Sequence, residues 1–379
     1  MRLLLIADLH IGSIKDIAYV YNIMTDIIDK EVMTKKTDAV IFLGDYFDRL
    51  FKVNEEYVAL AINVMSYLVR ACIKNKTKIR FIYGTESHEM NQYRLFNYHF
   101  SSNKVDIKLI DTVTEEELFP NINVLYIPEE YMLNKNEFYK DYLYSGKHYD
   151  YIFGHGIIED GMPQAVSFSV NKNVNEKQVP RFKSGELSSI CNLSVWGHYH
   201  VKTKIADNVY YLGSLFRDSF GEESPKGYGI IEDNKFEFIE NNKAYKYKTY
   251  EFNPESEVYK NPDNLINEIT KIKTENSDIF NGDSKGKIRL KFNLPGNIDP
   301  SFRENLKTVL INDKLISPMI KESNNELLEE IREDLDEEYD YLLDNSLLFE
   351  DKLYRYITTV FDTQMSLNEL KSYINDSFK

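Results

Sequence analysis

Five short apolar runs recur along roughly the first 200 residues, and each stops at a glycine or a polar residue. Arg2-Leu-Leu-Leu-Ile-Ala7 ends at Asp8, Ala39-Val-Ile-Phe-Leu43 at Gly44-Asp45, and Lys78-Ile-Arg-Phe-Ile-Tyr83 at Gly84. Tyr151-Ile-Phe153 ends at Gly154-His155, and Leu193-Ser-Val-Trp196 at Gly197-His198. Runs of this length without polar alternation predict strands buried on both faces. Between them, Ile17–Lys30, Asn54–Asn75 and Asn91–Phe100 carry apolar residues at helical spacing and predict helices. The alternation predicts an α/β fold. Val209-Tyr-Tyr-Leu212 leads into Gly213-Ser214-Leu215, and Tyr228–Glu232 with Lys235–Glu240 predict a hairpin around Asp233-Asn234.

The pattern changes after Asn253-Pro254. A helix near Pro262–Lys273, a strand Lys287–Asn293, a helix Ser301–Ile311 and a strand Ile316–Ile320 predict a small α+β unit. From Glu322 to Asp340 the chain holds ten carboxylates and one arginine, the mark of a solvated linker-helix. Leu342-Leu343, Leu347-Leu348-Phe349, Leu353-Tyr354, Tyr356-Ile357 and Val360-Phe361 then fall on one helical stripe, for packing on the chain's own domain or on a partner. Three parts are expected: residues 1–250, residues 251–321, and residues 322–379 with C-terminal helices.

Composition narrows the class. Of the net charge of −15 over 379 residues, −4 lies in residues 1–250 and −11 beyond, so the acidity belongs to the end of the chain. No strongly basic stripe stands out, and Lys74, Lys76, Lys78 and Arg80, or Lys243, Lys246 and Lys248 among tyrosines, are the local groups available to an anionic polymer. Cys72 and Cys191 are the sole cysteines and have no metal-like spacing, which points to a reducing compartment. Met1 runs straight into the first strand, and no apolar run reaches the roughly 20 residues of a membrane span. A soluble, cytoplasmic protein without membrane contact is expected.

Five of the seven histidines sit at the ends of the apolar runs or in motifs beside them: Asp8-Leu9-His10, Gly44-Asp45-Tyr46-Phe47-Asp48, Ser87-His88-Glu89, Gly154-His155 and Gly197-His198-Tyr199-His200. Imidazole and carboxylate together hold Mn, Fe or Zn, and the carboxyl ends of strands are where α/β sheets gather ligands. Singly, each pair is more often a hydrogen-bonded surface pair than a ligand set. His99 and His148 lie outside the motifs and read as a packed helix residue and a solvated one.

In order and form the five motifs resemble those of the calcineurin-like metallophosphoesterases, and among them the SbcD-type nucleases of double-strand-break repair and their phage counterparts. The resemblance spans about two-thirds of the chain and implies a β-sandwich flanked by helices, followed by a small α+β capping domain. It implies a first metal on Asp8, His10, Asp45 and His200, and a second on Asp45, His155, His198 and an Asn. That Asn is missing: the third segment reads Gly84-Thr85-Glu86-Ser87-His88-Glu89, with two residues inserted and Ser87 before the histidine. Ser87 is thus the candidate ligand, with Glu86 or a backbone carbonyl as substitutes. His88 would steady the scissile phosphate and protonate the leaving oxygen, Glu89 would orient it, and Asp48 would orient a ligand. Arg49, Gln92, Tyr93 and Arg94 are candidate substrate contacts, although Asp48-Arg49 reads equally well as an exposed ion pair.

The implied chemistry is in-line phosphodiester hydrolysis with two divalent ions about 3.5–4 Å apart, Mn first, with Mg, Fe or Zn as alternatives. The implied function is a DNA exonuclease and endonuclease paired with an SbcC-like coiled-coil ATPase through the C-terminal helices. Homodimerisation would use the helices Asn54–Asn75 and Asn91–Phe100. Two other readings stand beside it: a phosphatase or small-molecule phosphodiesterase, and a catalytically weak subunit that recruits a partner.

Overall fold

The computed structural model describes residues 1–101, 104–161, 179–217, 219–222, 224–282, 285–295, 299, 301–310, 315–322 and 325–330, together with Tyr354. The strands run β1 (Arg2–Ile6), β2 (Ala39–Leu43), β3 (Lys78–Ile82), β4 (Ile107–Ile110), β5 (Thr114–Phe119), β6 (Ile122–Ile127), β7 (Tyr149–His155), β8 (Ile157–Ile158) and β9 (Arg181–Phe182). They continue as β10 (Cys191–Gly197), β11 (Thr203–Ala206), β12 (Val209–Tyr211), β13 (Gly227–Glu232), β14 (Lys235–Glu240), β15 (Lys246–Phe252), β16 (Gly286–Leu294), β17 (Ile316–Glu322) and β18 (Asn325–Glu330).

Two six-stranded sheets form a sandwich, ordered β14-β13-β1-β2-β3-β4 and β11-β12-β10-β7-β6-β5. The centre of each is parallel; an antiparallel hairpin closes one edge of the first sheet, whose other edge strand β4 pairs parallel with β3, and hairpins close both edges of the second. Strand periodicity sorts β1 between two cores: Leu3 and Leu5 meet Tyr126, Phe153 and Val195 between the sheets, while Leu4 and Ile6 pack under the helices with Val20, Met24 and Val64. A third core covers the outer face of the second sheet around Trp196, Ile152 and Phe182. The architecture is the helix-flanked β-sandwich expected. The hairpin joining β13 and β14 turns at Asp233 and Asn234, both with positive φ (50° and 62°), the geometry that suits a tight turn between right-twisted strands.

Several elements differ from expectation in instructive ways. The first helix is α-helical over Ile17–Ile27 and then widens into a π-helix over Ile28–Thr34. That turn carries Glu31 inward to the Arg2 guanidinium and the Tyr228 hydroxyl (2.8 Å). Asn91–Phe100 is a 3-10 turn, Gln92–Phe96, followed by a short helix, Asn97–Phe100, because Tyr93 and Phe96 both point into the core. Glu56–Asn75 does reach the length and hydropathy of a membrane span, contrary to the expectation, but Val58, Ala61, Val64, Met65, Leu68 and Cys72 of its apolar face are in the core. Arg80 is wholly buried between the sheets, held bidentately by Glu116 (2.7 and 2.8 Å), so it offers nothing to an external anion.

β15, β16, β17 and β18 form a separate four-stranded sheet, with the first three parallel. The helices Pro262–Glu275 and Phe302–Leu310 bury Leu265, Ile269, Ile272 and Leu306 against Ile288, Leu290 and Phe292. This sheet begins at Lys246, so it draws on residues to either side of position 250. The acidic run beyond Glu330 and the apolar stripe of residues 342–361, Tyr354 apart, lie outside the described residues.

Candidate metal centre

The parallel strands of both sheets end on the same side, and the loops leaving β1, β2, β3, β6, β7 and β10 bring their polar residues together. These loops are strained. Asp8, His10, Asp45 and His198 all have positive φ (46°, 43°, 47° and 99°), a conformation that costs a non-glycine residue on the order of 1 kcal/mol each and persists where the surroundings impose it. Glycines permit the convergence. A Cβ on Gly44 would lie 2.1 Å from His155 Nδ1, and one on Gly84 would lie 2.2 Å from the Asp45 nitrogen.

The gathered side chains fall into adjoining groups. Asp8, His10 and His200 form one, and Glu129, His155 and His198 another, with the candidate ligand atoms in each within 4.8 Å of one another. Asp45 lies between them, its Oδ2 3.7 Å from His10 Nε2 and 3.3 Å from His155 Nε2. His10 and His200 present Nε2 to Nε2 at 3.0 Å. Two imidazole nitrogens so close need a proton or a cation between them, and cis ligands at about 2.1 Å from one ion are separated by about 3.0 Å. Asp8 Oδ2 is buried without a hydrogen-bond partner, while its Oδ1 accepts the His198 backbone N–H (2.9 Å). A divalent cation would satisfy both features, and mixed imidazole and carboxylate donors suit Mn, Fe or Zn.

Hydrogen bonds on the far side of the rings set which nitrogen faces the site. His155 Nδ1 donates to the Leu43 carbonyl (2.8 Å) and His200 Nδ1 pairs with Glu222 (2.8 Å), which turns both Nε2 atoms inward. Burial, reinforced by the neighbouring imidazoles and opposed by Asp45, drives the His10 pKa down to about 3 and keeps its lone pair free. Burial opposes protonation of His155 too, but Asp45, Asp8 and Glu129 outweigh it and lift the pKa to about 10. Burial raises Asp45, yet His155 and His10 hold it below the ordinary carboxylate range.

Asp8, His10, Asp45, His88, His155, His198 and His200 therefore converge, and the remaining expected site residues divide. Ser87 is exposed, and Thr85, which directly succeeds Gly84, is the residue of this loop set against Asp45. Thr85 donates its N–H to Asp45 Oδ1 (2.7 Å), and its hydroxyl lies 3.4 Å from His155 Nε2. His88 reaches the cluster with its ring 4.8 Å from that of His10, but its Nδ1 is held by the Asp48 carbonyl and not by Glu89. Glu89 is buried behind the site, accepting from the Tyr46 N–H (3.0 Å) and the Tyr93 hydroxyl (3.1 Å), and burial raises its pKa to about 8.

The Asp48 carboxylate stands 3.8 Å from His10 Nδ1. Gln92 and Tyr93 are buried and cannot touch a substrate: Gln92 ties Phe51, Arg49 and His88 together through their backbones, and Tyr93 belongs to the aromatic core. Arg49 pairs with Glu55 (2.6 Å) and stacks over Phe51, so its ion pair is with Glu55 rather than Asp48. Arg94 is exposed, His99 is within 3.3 Å of Ser66, and His148 is exposed.

The sequence reading missed Glu129, Thr85 and Glu222. Glu129 carried a legible signal: Ile122-Asn-Val-Leu-Tyr-Ile127 is an apolar run that, like the other five, ends in polar residues, here after Pro128.

A family profile described as calcineurin-like phosphoesterase matches residues 1–202. No curated protein matches the chain. One solved structure aligns with 63% of this chain and 98% of its own length at 10% identity, with a TM-score of 0.37, too distant a likeness to carry an argument.

Proposed function

Because the chain belongs to the calcineurin-like phosphoesterases, whose chemistry is metal-dependent phosphoester hydrolysis, we propose that its substrate is DNA and that it acts as an exonuclease and endonuclease. The observation that carries the reading is the pair of ligand groups meeting at Asp45, with His88, His198 and His200 only partly buried at their rim. An open rim suits a polymer that lies across the site better than a small ester that must be enclosed. The Asp8-Leu9-His10 and Gly197-His198-Tyr199-His200 forms favour the nuclease branch over the phosphatases.

Divalent ions, two when the site is full and Mn by preference, supply the charge that neutralises the phosphodiester and makes water a nucleophile. Asp8, His10, Asp45 and His200 would hold one, and Asp45, His155 and His198 would contribute to the other. With its Nδ1 fixed by the Asp48 carbonyl, His88 presents Nε2 for the leaving oxygen and can deliver a proton there. Asp45 touches both groups, so its removal is the most damaging single change. The partners in this proposal are an SbcC-like coiled-coil ATPase and a second copy of the chain, in the cytoplasm.

Degradation of linear double-stranded DNA with Mn2+ tests the proposal, run beside Asp45→Ala, His88→Ala and a generic phosphatase substrate. DNA cleavage lost in both variants is expected. Hydrolysis of the small substrate with DNA left intact would replace this reading with that of a phosphatase.

A further inference from the structure

We propose that Glu129 is a ligand of the second ion, a carboxylate in the place where the family pattern has an asparagine. The inference rests on the site being a two-ion centre. Glu129 follows β6, a strand of the second sheet that supplies none of the five recognised motifs, and its side chain is buried. Its Oε2 lies 3.3 Å from His198 Nδ1, 4.0 Å from His155 Nε2 and 3.3 Å from the Thr85 hydroxyl. Its Oε1 accepts from Tyr131 (3.3 Å), so the Oε2 edge is the one turned to the imidazoles.

Thr85 takes the position directly after Gly84, but its short hydroxyl side chain is already committed to the carboxylates of Asp45 and Glu129, at 3.4 and 3.3 Å. The gap left by the missing amide is thus filled from another sheet. The buried, unpartnered Asp8 Oδ2 is a separate sign that the whole cluster is arranged for cations rather than for its own internal hydrogen bonds.

The substitution changes the character of the site. With Glu129, each half offers two carboxylates and two imidazoles: Asp8, Asp45, His10 and His200 on one side, Glu129, Asp45, His155 and His198 on the other. Three carboxylates against two divalent ions leave one net positive charge in place of two. Matched donor sets predict two ions of the same kind bound with similar affinity, and the additional carboxylate oxygen shifts the second half toward harder ions such as Mn2+.

Calorimetric titration of the full chain with MnCl2, with electron paramagnetic resonance of the loaded protein, tests this without relying on activity. The wild type should bind two Mn2+ and show a spin-coupled pair. Glu129→Ala should bind one ion with wild-type affinity, lose the second by on the order of 100-fold, and show the six-line spectrum of isolated Mn2+. Glu129→Gln, which keeps the length and offers an amide oxygen, should recover the coupled pair. Two ions bound by Glu129→Ala within threefold of wild type, or a single ion bound by the wild type, would overturn the proposal. Should the alanine variant not fold, Glu129→Leu keeps the volume without a ligating oxygen, and an unchanged second affinity there overturns it equally. DNA hydrolysis separates this from the functional reading: coupled Mn2+ that depends on Glu129, in a protein that leaves DNA intact, upholds the ligand and removes the nuclease.

Discussion

Gly84→Ala places a methyl group where nothing polar is removed and no substrate is touched, yet it should nearly silence the enzyme. The added Cβ would stand 2.2 Å from the Asp45 nitrogen and 2.3 Å from its Oδ1, whereas real Cβ atoms essentially never approach within 3.0 Å. One of the two loops must therefore move by at least the difference, about 0.8 Å, against backbone that has no rotamer to yield. The Thr85 N–H to Asp45 Oδ1 bond, now 2.7 Å, then opens toward 3.5 Å, and the carboxylate between the two ligand groups is displaced. A displacement near 1 Å in a positioned group lowers turnover by about 100-fold, while overpacking a rigid site destabilises the fold by about 1–3 kcal/mol. Mn2+-dependent phosphodiester hydrolysis by the purified variant, with urea unfolding in parallel, measures both. A variant within threefold of wild-type kcat would show that Asp45 does not depend on the loop from β3, and the reasoning would fail.

Glu116→Gln should remove about 3 kcal/mol at neutral pH by leaving the buried Arg80 guanidinium with only Asp106. Burial pushes Glu116 up, but Arg80 and Lys108 bring its pKa down to about 2, from 4.5 when unfolded, so its contribution is present above pH 4.5 and fades as the pH falls toward 2. Urea unfolding of wild type and variant should converge over that interval, and a constant difference would refute the linkage. Mn2+ binding at pH 7 should release protons, because His155 titrates at about 10 without the ion, and affinity should rise with pH up to that value; titrations in buffers of different ionisation enthalpy count the protons, and none released would refute it. Tyr93→Phe should cost about 1 kcal/mol by depriving Glu89 of a donor and leave KM for DNA unchanged, whereas a raised KM would return Tyr93 to the substrate face.

Much of the centre was legible because each strand that ends at Asp8, Asp45, His155 or His198 is buried on both faces, and an unbroken apolar run marks such a strand and its end. The third loop was harder. Whether the insertion falls before or after Thr85 changes no residue type, and only the folded loop shows Thr85 against Asp45 and Ser87 in solvent. Glu129 was passed over because no histidine accompanies it: the end of the Ile122–Ile127 run is legible, but its company of His155 and His198 appears only once β6 lies beside β7. Gln92 and Tyr93 misled in the opposite sense. A polar residue near a motif reads as available to substrate, but an amide that caps backbone groups and a phenol with one buried partner are consistent with full burial. The π-helix that carries Glu31 inward had no signature of its own, since the apolar spacing of Ile27, Ile28 and Val32 fits an α-helix as well.

The position of β1 sets a timetable for the chain's birth. Its neighbours in the sheet are β2, which emerges soon after it, and β13, which begins at Gly227. At roughly 5–20 residues per second, the ribosome needs about 10–45 s to deliver that second neighbour. Throughout that interval Leu3 to Ile6 present an open apolar edge to solvent, the kind of edge that invites mispairing and chaperone capture. The same delay means that Asp8 and His10 wait for His198 and His200, made some 190 positions later. A nascent chain therefore holds half a set of metal ligands, and the centre can be completed only once β10 has been made.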